Sequence, residues 1–188
     1  MSISHTETER LIIRELAHTD VAARAQLTRE AFDPAHEDAR SEQWMQWTVR
    51  SYREFASLYQ PPYGDYAIVL KPTGELIGEV GLVPSTIPWG VFEQPPHLLV
   101  SPEFGLFWAV LTAHRGKGYA AEAAQVIIDH AFKKLNAARI VATTEHTNLA
   151  SQRVMQKLGM TLRKNPGDTP FWFEIIGVLD NPGVSKAR

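Results

Sequence analysis

His114-Arg115-Gly116-Lys117-Gly118-Tyr119-Ala120-Ala121-Glu122-Ala123 is the stretch that decides the fold, because it joins a strand-like run to an Ala-rich helix through two glycines and two cations. Residues 104–111, just before it, are almost wholly apolar, which is typical of a strand buried on both faces. After it, apolar residues recur at helical spacing as far as Leu135 and leave Glu122 and Asp129 on the other side. The pattern predicts a strand, a glycine-rich turn and an amphipathic helix.

The turn has the composition of an anion-binding site. A helix start leaves backbone N–H groups unpaired, and glycine lets the backbone approach a ligand without a Cβ in the way. The N–H groups from Gly116 to Ala121 are therefore predicted to surround a phosphate, with Arg115 as a neighbouring cation.

Two nucleotide-binding loops fit this stretch less well. The P-loop needs a longer spacing from its first glycine to a Lys followed by Ser or Thr, which Gly116-Lys117-Gly118 does not provide. The dinucleotide fingerprint G-x-G-x-x-G/A matches through Ala121. However, the strand expected to end in an acidic residue about twenty positions on reads Arg-Ile-Val-Ala at 139–142.

Two motifs in order resemble those of a known family. Arg115-x-x-Gly118-x-Ala120 resembles the R/Q-x-x-G-x-G/A signature of the acetyl-CoA-dependent N-acetyltransferases of the GNAT superfamily. Residues 148–160, NLASQRVMQKLGM, resemble the N-x-x-S…K-L-G-F segment of that family, with Asn148 suited to begin a helix. The opening strand, from about Thr8, is similar to that of the branch that acetylates ribosomal-protein N-termini.

The resemblance implies an α/β (α+β) fold: a mixed, mostly antiparallel central sheet of six to seven strands, flanked by helices and splayed at the central strands. It implies acetyl-CoA as co-substrate, with its pyrophosphate in the loop and its pantetheine arm along the edge of the central strand as an added strand. The backbone N–H of Val110 would polarise the thioester carbonyl. The residues expected to bind the cofactor are Trp108, Ala109, Val110, Arg115, Gly116, Lys117, Gly118, Tyr119, Ala120, Ala121, Asn148 and Ser151.

The sequence offers more than one acidic residue as the proton acceptor of the catalytic site. A neutral amine attacks a thioester directly, so a base or a water chain must first take a proton from the ammonium. Many relatives place a Tyr where Met155 stands, and others carry a Glu where this chain has Thr143. We predict that Glu103, at the head of the central strand, is the base and acts through ordered water. Glu79 and Glu145 stay as alternatives.

Composition narrows the class of protein. The length suits one α/β domain, and we expect residues 1–188 to form a single domain. No cysteine is present, so thiolate metal sites and a thiol nucleophile are excluded, and no metal is expected. A net charge of −2 gives no reason to expect a nucleic-acid partner, and no apolar run approaches the length of a membrane span. We expect a cytoplasmic location, with a homodimer left open.

The rest of the chain is predicted from periodicity and turn signals. The 41–58 helix is expected to place Trp44, Trp47, Tyr52, Phe55 and Leu58 on one side. Four prolines predict an irregular loop over 84–96, whose aromatic residues either pack on the core edge or cover a substrate cleft. The remaining predicted elements are the strand 10–15, the helix Val21–Ala31, a hairpin of strands 66–70 and 76–83, the strand Arg139–Thr144, the helix 148–158, and the strands 160–163 and 171–178.

Two classes of function follow. The first is an N-acetyltransferase that moves an acetyl group from acetyl-CoA to a primary amine, either a protein N-terminus or a small molecule, in a ternary complex. The second is a non-catalytic module that binds acetyl-CoA or a regulatory ligand, which the absence of the family's Tyr at Met155 favours. A third alternative, an NAD-binding oxidoreductase, would be excluded by tight acetyl-CoA binding without NAD binding.

Overall fold

The computed structural model describes residue 3 and residues 5–97, 99–167 and 172–183. Within these residues the α-helices are α1 (Val21–Ala31), α2 (Asp38–Ser57), α3 (Tyr119–Lys133) and α4 (Leu149–Lys157). The strands are β1 (His5–Glu7), β2 (Leu11–Glu15), β3 (Gly64–Leu70), β4 (Leu76–Ile87), β5 (Ser101–Val110), β6 (Arg139–Thr144), β7 (Thr161–Lys164) and β8 (Ile175–Asp180). The chain divides into two compact units, one formed by Met1–Leu82 and Phe107–His130 and the other by Val83–Leu106 and Ala131–Arg188.

The first unit is an antiparallel sheet covered by helices. Its strand order is β1-β2-β3-β4-β5. This unit includes β4 as far as Leu82 and β5 from Phe107 onward. One buried cluster of this unit consists of Leu16, Met45, Ala67, Val69 and Leu76. Apolar residues from β3, β4 and α2 thus meet Leu16, directly after β2, in one core, which stabilises the strands that precede the glycine-rich turn.

The buried face of α2 differs from the predicted one. Met45 and Thr48 are fully buried, whereas Trp47 and Leu58 are exposed. The predicted aromatic face is therefore wrong for these two residues. Tyr52 also lies on the buried face, where its hydroxyl accepts a hydrogen bond from the N–H of Leu16 at 3.1 Å.

The second unit is a mixed sheet with strand order β4-β5-β6-β8-β7. β5 and β6 are parallel, and their ladder pairs Phe104 with Ile140 and Gly105 with Val141. The β6–β8 and β8–β7 pairs are antiparallel. Ile87, Val141, Phe173 and Ile176 form its buried cluster, and Trp89 and Phe92 pack against that cluster. The aromatic residues of the proline-rich segment therefore pack on the core edge.

The segment predicted to be irregular begins later than expected. β4 continues through Pro84 to Ile87, and a short 3-10 turn follows at Trp89–Phe92. The pairing of β3 with β4 ends at Gly64 and Leu82, so a proline beyond that point can face the unpaired side without losing a ladder bond.

The predicted fold class is confirmed. The sheet is mixed and mostly antiparallel, and it is flanked by helices. The described residues contain eight strands instead of six to seven. The short β1 was not foreseen. The predicted start of the last strand, Phe171, lies outside the described residues, and the observed strand is Ile175–Asp180. That residues 1–188 form a single domain stays a prediction.

Candidate cofactor and active site

The glycine-rich turn has the backbone of an anion-binding loop. Gly116 and Gly118 have φ values of 76° and 83°, in the left-handed region that glycine tolerates best. α3 begins at Tyr119, and its first helical hydrogen bond runs from the N–H of Glu122 to the carbonyl of Gly118 at 3.1 Å. The N–H groups of Tyr119, Ala120 and Ala121 precede that bond and so have no partner within the helix.

Side chains tie this loop to the strand and helix beside it. Nε of Arg115 donates to the carbonyl oxygen of Val110 at 2.9 Å, which links the loop to the end of β5. The N–H of Thr112 donates to a carboxylate oxygen of Glu30 at 2.7 Å. That hydrogen bond lowers the pKa of Glu30 to about 2. The loop is thus held in place on the β5 side.

A second anchor fixes the start of α3. Arg10, just before β2, donates from Nε to Glu122 at 2.7 Å and from Nη1 to the carbonyl of Lys117 at 3.0 Å. Its guanidinium also lies 4.6 Å from the centre of the Tyr119 ring. Thr8 completes the network, because its hydroxyl donates to Glu122 at 2.6 Å. The loop is therefore held on its other side by residues more than one hundred positions earlier in the chain.

Arg10 and Thr8 also determine the charge state of Glu122 in the first turn of α3. An acidic residue in the first turn of a helix competes with a bound anion unless its charge is compensated. Burial alone would raise the pKa of Glu122, but hydrogen bonds from Thr8 and Arg10 outweigh it and lower the pKa. Glu122 therefore stays ionised and paired with Arg10, so its charge is compensated. Sequence analysis missed this pair because no local signal connects residues 112 positions apart.

The end of β5 offers backbone groups on the side away from β4. The N–H of Leu111 donates to the carbonyl of Ile77 at 2.8 Å, so this N–H points toward β4. Backbone groups alternate in direction along a strand, and the N–H groups of Val110 and Trp108 therefore point away from β4. This is the orientation that a pantetheine arm added as a strand, and an oxyanion at Val110, would need.

The predicted residues Asn148 and Ser151 lie in the second unit. Asn148 caps α4, because its Oδ1 accepts a hydrogen bond from the N–H of Ser151 at 3.1 Å. The predicted capping role is thereby confirmed, and the amide nitrogen of Asn148 is left as a donor. Met155, on the same helix, is fully buried and belongs to the core.

Glu103, the predicted base, has several partners. Its carboxylate forms an ion pair with Arg139, whose Nε lies at 3.2 Å, and accepts a hydrogen bond from Nε1 of Trp89 at 2.8 Å. The hydroxyl of Ser101 lies at 3.3 Å. Arg139 in turn stacks 4.6 Å from the Trp89 ring centre. The catalytic role of Glu103 stays a prediction.

The part of the chain that the structure describes contains neither a candidate membrane span nor a candidate metal site. None of its helices has the length and apolar character needed to cross a bilayer. No cluster of three or more His, Cys, Asp or Glu side chains is arranged to hold a metal ion in the same residues.

The sequence of this chain is similar to those of known acetyltransferases. A family model described as the acetyltransferase (GNAT) domain matches residues 10–161. The uncharacterized N-acetyltransferase YjdG of Bacillus subtilis (strain 168) is 30% identical over 113 residues, which cover 60% of each chain. The match thus spans less than two thirds of that relative's length.

Solved structures share the fold. The acetyltransferase from Agrobacterium tumefaciens str. C58 superposes with a TM-score of 0.69 at 25% identity, covering 95% of each chain. RimL, described as a ribosomal L7/L12 alpha-N-protein acetyltransferase in complex with coenzyme A, has a TM-score of 0.63 at 14% identity, covering 91% of this chain and 93% of its own. At that identity the second likeness shows the fold alone.

Proposed function

The chain belongs to the GNAT acetyltransferase family, and we propose that it transfers an acetyl group from acetyl-CoA to a primary amine. The observation that carries the proposal is the loop between β5 and α3. Gly116 and Gly118 take left-handed conformations there, and the N–H groups at the start of α3 have no partner within the helix. Such a loop fits the pyrophosphate of acetyl-CoA.

The residues present suit each part of the cofactor. Arg115 and Lys117 are exposed cations beside the loop, and they supply charge-assisted hydrogen bonds to phosphate oxygens. The pantetheine arm binds as an added strand along Trp108, Ala109 and Val110, where the outward N–H groups of Trp108 and Val110 donate hydrogen bonds to it. Asn148 and Ser151 belong to the proposed cofactor site through the family resemblance, with the amide nitrogen of Asn148 as donor.

Acetyl transfer then requires few protein groups. The N–H of Val110 donates to the thioester oxygen, where negative charge develops as the amine attacks. Acetyl-CoA supplies the activated acyl group when bound. The acceptor, a protein N-terminus or a small-molecule amine, must lose one proton before it attacks. We propose a cytoplasmic location for this reaction.

The second candidate function is a module that binds acetyl-CoA without turnover. Its supporting observation is Met155, which stands where many relatives carry a Tyr and is fully buried in the core. A thioether carries no proton to donate. The two candidates differ in one measurable product, free CoA.

Calorimetric titration and a thiol assay test both statements. The protein has no cysteine, so a thiol-reactive chromogen reports only the CoA that is released. We expect wild type to bind acetyl-CoA and to release CoA with at least one member of a panel of N-terminal peptides and small amines. A Gly118→Val change should block binding, because a β-branched residue disfavours the left-handed region and its side chain obstructs the phosphate.

Each outcome has a distinct meaning. An unchanged acetyl-CoA affinity in a folded Gly118→Val variant would remove the loop from the cofactor site. Acetyl-CoA binding without CoA release from any amine would favour the non-catalytic module.

A further inference from the structure

A buried group of charges lies in the first unit, between α1 and the sheet. Glu79, in the middle of β4, is only 3% exposed, and its Oε1 lies 3.7 Å from Nε of Arg24 on α1. Among the described residues, neither of these two atoms has a hydrogen-bond partner. The guanidinium of Arg24 stacks 3.6 Å from the ring centre of Trp44 on α2, which fixes its position. A carboxylate oxygen that accepts no hydrogen bond at such depth lowers stability.

The charges around Glu79 do not balance. The positive charge of Arg24 acts on two carboxylates, Glu79 and Asp65 on β3, whereas Asp20 is paired with Arg14 at 2.7 Å. Burial and the charge of Asp65 raise the pKa of Glu79, although Arg24 acts in the opposite direction. Burial likewise raises the pKa of Asp65. Both carboxyl groups of this pair therefore bind a proton more readily than exposed ones do.

Glu79 lies close to the proposed reaction centre. The hydrogen bond from Leu111 to Ile77 sets β4 beside β5, and a Cβ built on Gly78 would come within 3.1 Å of the Cα of Val110. Glu79, the next residue, therefore lies beside Ala109 on the neighbouring strand, at a cross-strand spacing of about 5 Å between Cα atoms.

Helix α1 covers both Glu79 and Ala109. Ala109 and Leu111 form a buried cluster with Leu27 of α1, one turn beyond Arg24.

We propose that Glu79 is the group that accepts the proton of the acceptor ammonium, through one or two waters, in the acetyl transfer proposed above. The inference rests on that proposed function. The ammonium N–H bond breaks, and its proton passes through water to the Glu79 carboxylate. The amine lone pair then forms the C–N bond, the C–S bond breaks, and a proton left on the new amide nitrogen goes to the CoA sulfur. Glu79 returns its proton to solvent.

The first test compares pH–rate profiles of variants of the full chain. The acceptor used is the peptide or amine that gives wild type its highest rate of CoA release. We expect Glu79→Gln to lower kcat/KM by about two orders of magnitude and to abolish the acidic limb of the profile. Its acetyl-CoA affinity, measured by calorimetry, should stay within about twofold of wild type. Glu42→Gln, an exposed acid on α2 in the same unit, is the matched control and should leave both unchanged.

A second variant separates proton transfer from folding. Asp65→Asn removes the charge that raises the pKa of Glu79, so the acidic limb should move to lower pH by about one unit while activity is retained. The charged groups facing Glu79 are Arg24 and Asp20 on the α1 side and Asp65 on β3. A purely structural role for Glu79 would not shift this limb. The measurement therefore decides the question even if Glu79→Gln fails to fold.

Three outcomes would overturn the inference. A Glu79→Gln variant with wild-type kcat/KM and an unaltered acidic limb of the pH–rate profile would exclude Glu79 as the proton acceptor. The proposed transferase activity would remain intact. Loss of the limb in Glu103→Gln instead would assign the proton to Glu103. A wild-type protein that binds acetyl-CoA but releases no CoA with any amine would refute the proposed function, and the role of Glu79 with it.

Discussion

Replacing Arg10 with Gln tests whether the loop depends on its distant anchor. The guanidinium donates to Glu122 at 2.7 Å and to the carbonyl of Lys117 at 3.0 Å, and it stacks on Tyr119. A hydrogen bond contributes about 1 kcal/mol and an exposed cation–π contact about 0.5 kcal/mol. Arg10 is 42% exposed, so the ion pair adds little once solvent screening is counted. The unfolding free energy should fall by about 2 kcal/mol.

This loss of unfolding free energy predicts changes in melting temperature and in acetyl-CoA affinity. In a protein of this size, about 2 kcal/mol lowers the melting temperature by about 4–8 °C. Acetyl-CoA affinity should fall about fivefold, because the ligand must then order a looser loop at a cost of about 1 kcal/mol. Arg50→Gln removes a cation that is 75% exposed on α2 and is the matched control, with an expected change in unfolding free energy within about 0.5 kcal/mol.

The stability difference should also depend on pH. The pKa of Glu122 is lowered in the folded state, so its stabilising contribution is present above the unfolded pKa of about 4.3 and is lost as pH falls through the lower folded pKa. The gap between wild type and Arg10→Gln should therefore narrow below about pH 4. If Arg10→Gln lost stability but kept wild-type acetyl-CoA affinity, the anchor would serve the fold and not the loop.

Three further changes probe other parts of the chain. Gly78→Ala should lower the unfolding free energy by about 3 kcal/mol in urea titration, because its Cβ would overlap the carbonyl oxygen of Ala109; Gly167→Ala, with ordinary contacts, is the control. Asn148→Asp should keep the melting temperature, since Asp also caps α4, and weaken acetyl-CoA binding in calorimetry by removing the amide donor; loss of stability with unchanged affinity would leave Asn148 as a cap alone. Glu79 has a raised folded pKa, so its stabilising contribution is full below about pH 4.3 and is lost as pH rises through that folded pKa. The unfolding free energy of Glu79→Gln should therefore rise relative to that of wild type as pH rises. If it fell relative to wild type instead, Arg24 would keep Glu79 ionised in the folded state.

Local signals in the sequence predicted the elements around the site closely. The helix Val21–Ala31 and the strand Arg139–Thr144 have the predicted bounds, and α4 begins directly after the predicted cap at Asn148. Each of these boundaries depends on a side chain or a periodic pattern within a few residues of it. The glycine-rich turn was predictable for the same reason, because two glycines between a strand and a helix carry their own backbone geometry.

Features that depend on distant partners were not predictable. Glu122 has the spacing of a solvent-facing residue on α3, yet it is paired with Arg10 across the fold. Pro84 breaks a strand pattern in sequence, yet it continues β4 because β3 no longer pairs there. Glu79 reads as one polar residue in an apolar run, and nothing local shows that Arg24 meets it at depth. In each case the three-dimensional neighbour decides the outcome.

The contact of Thr8 and Arg10 with Glu122 has a consequence for the order of folding. These partners are separated by up to 114 positions, so the loop closed between them is long and its formation is slow compared with that of a local turn. As the chain leaves the ribosome, the residues before β2 emerge first and must wait for α3. We therefore expect acetyl-CoA to bind only late in synthesis, when the last and first parts of the first unit have met.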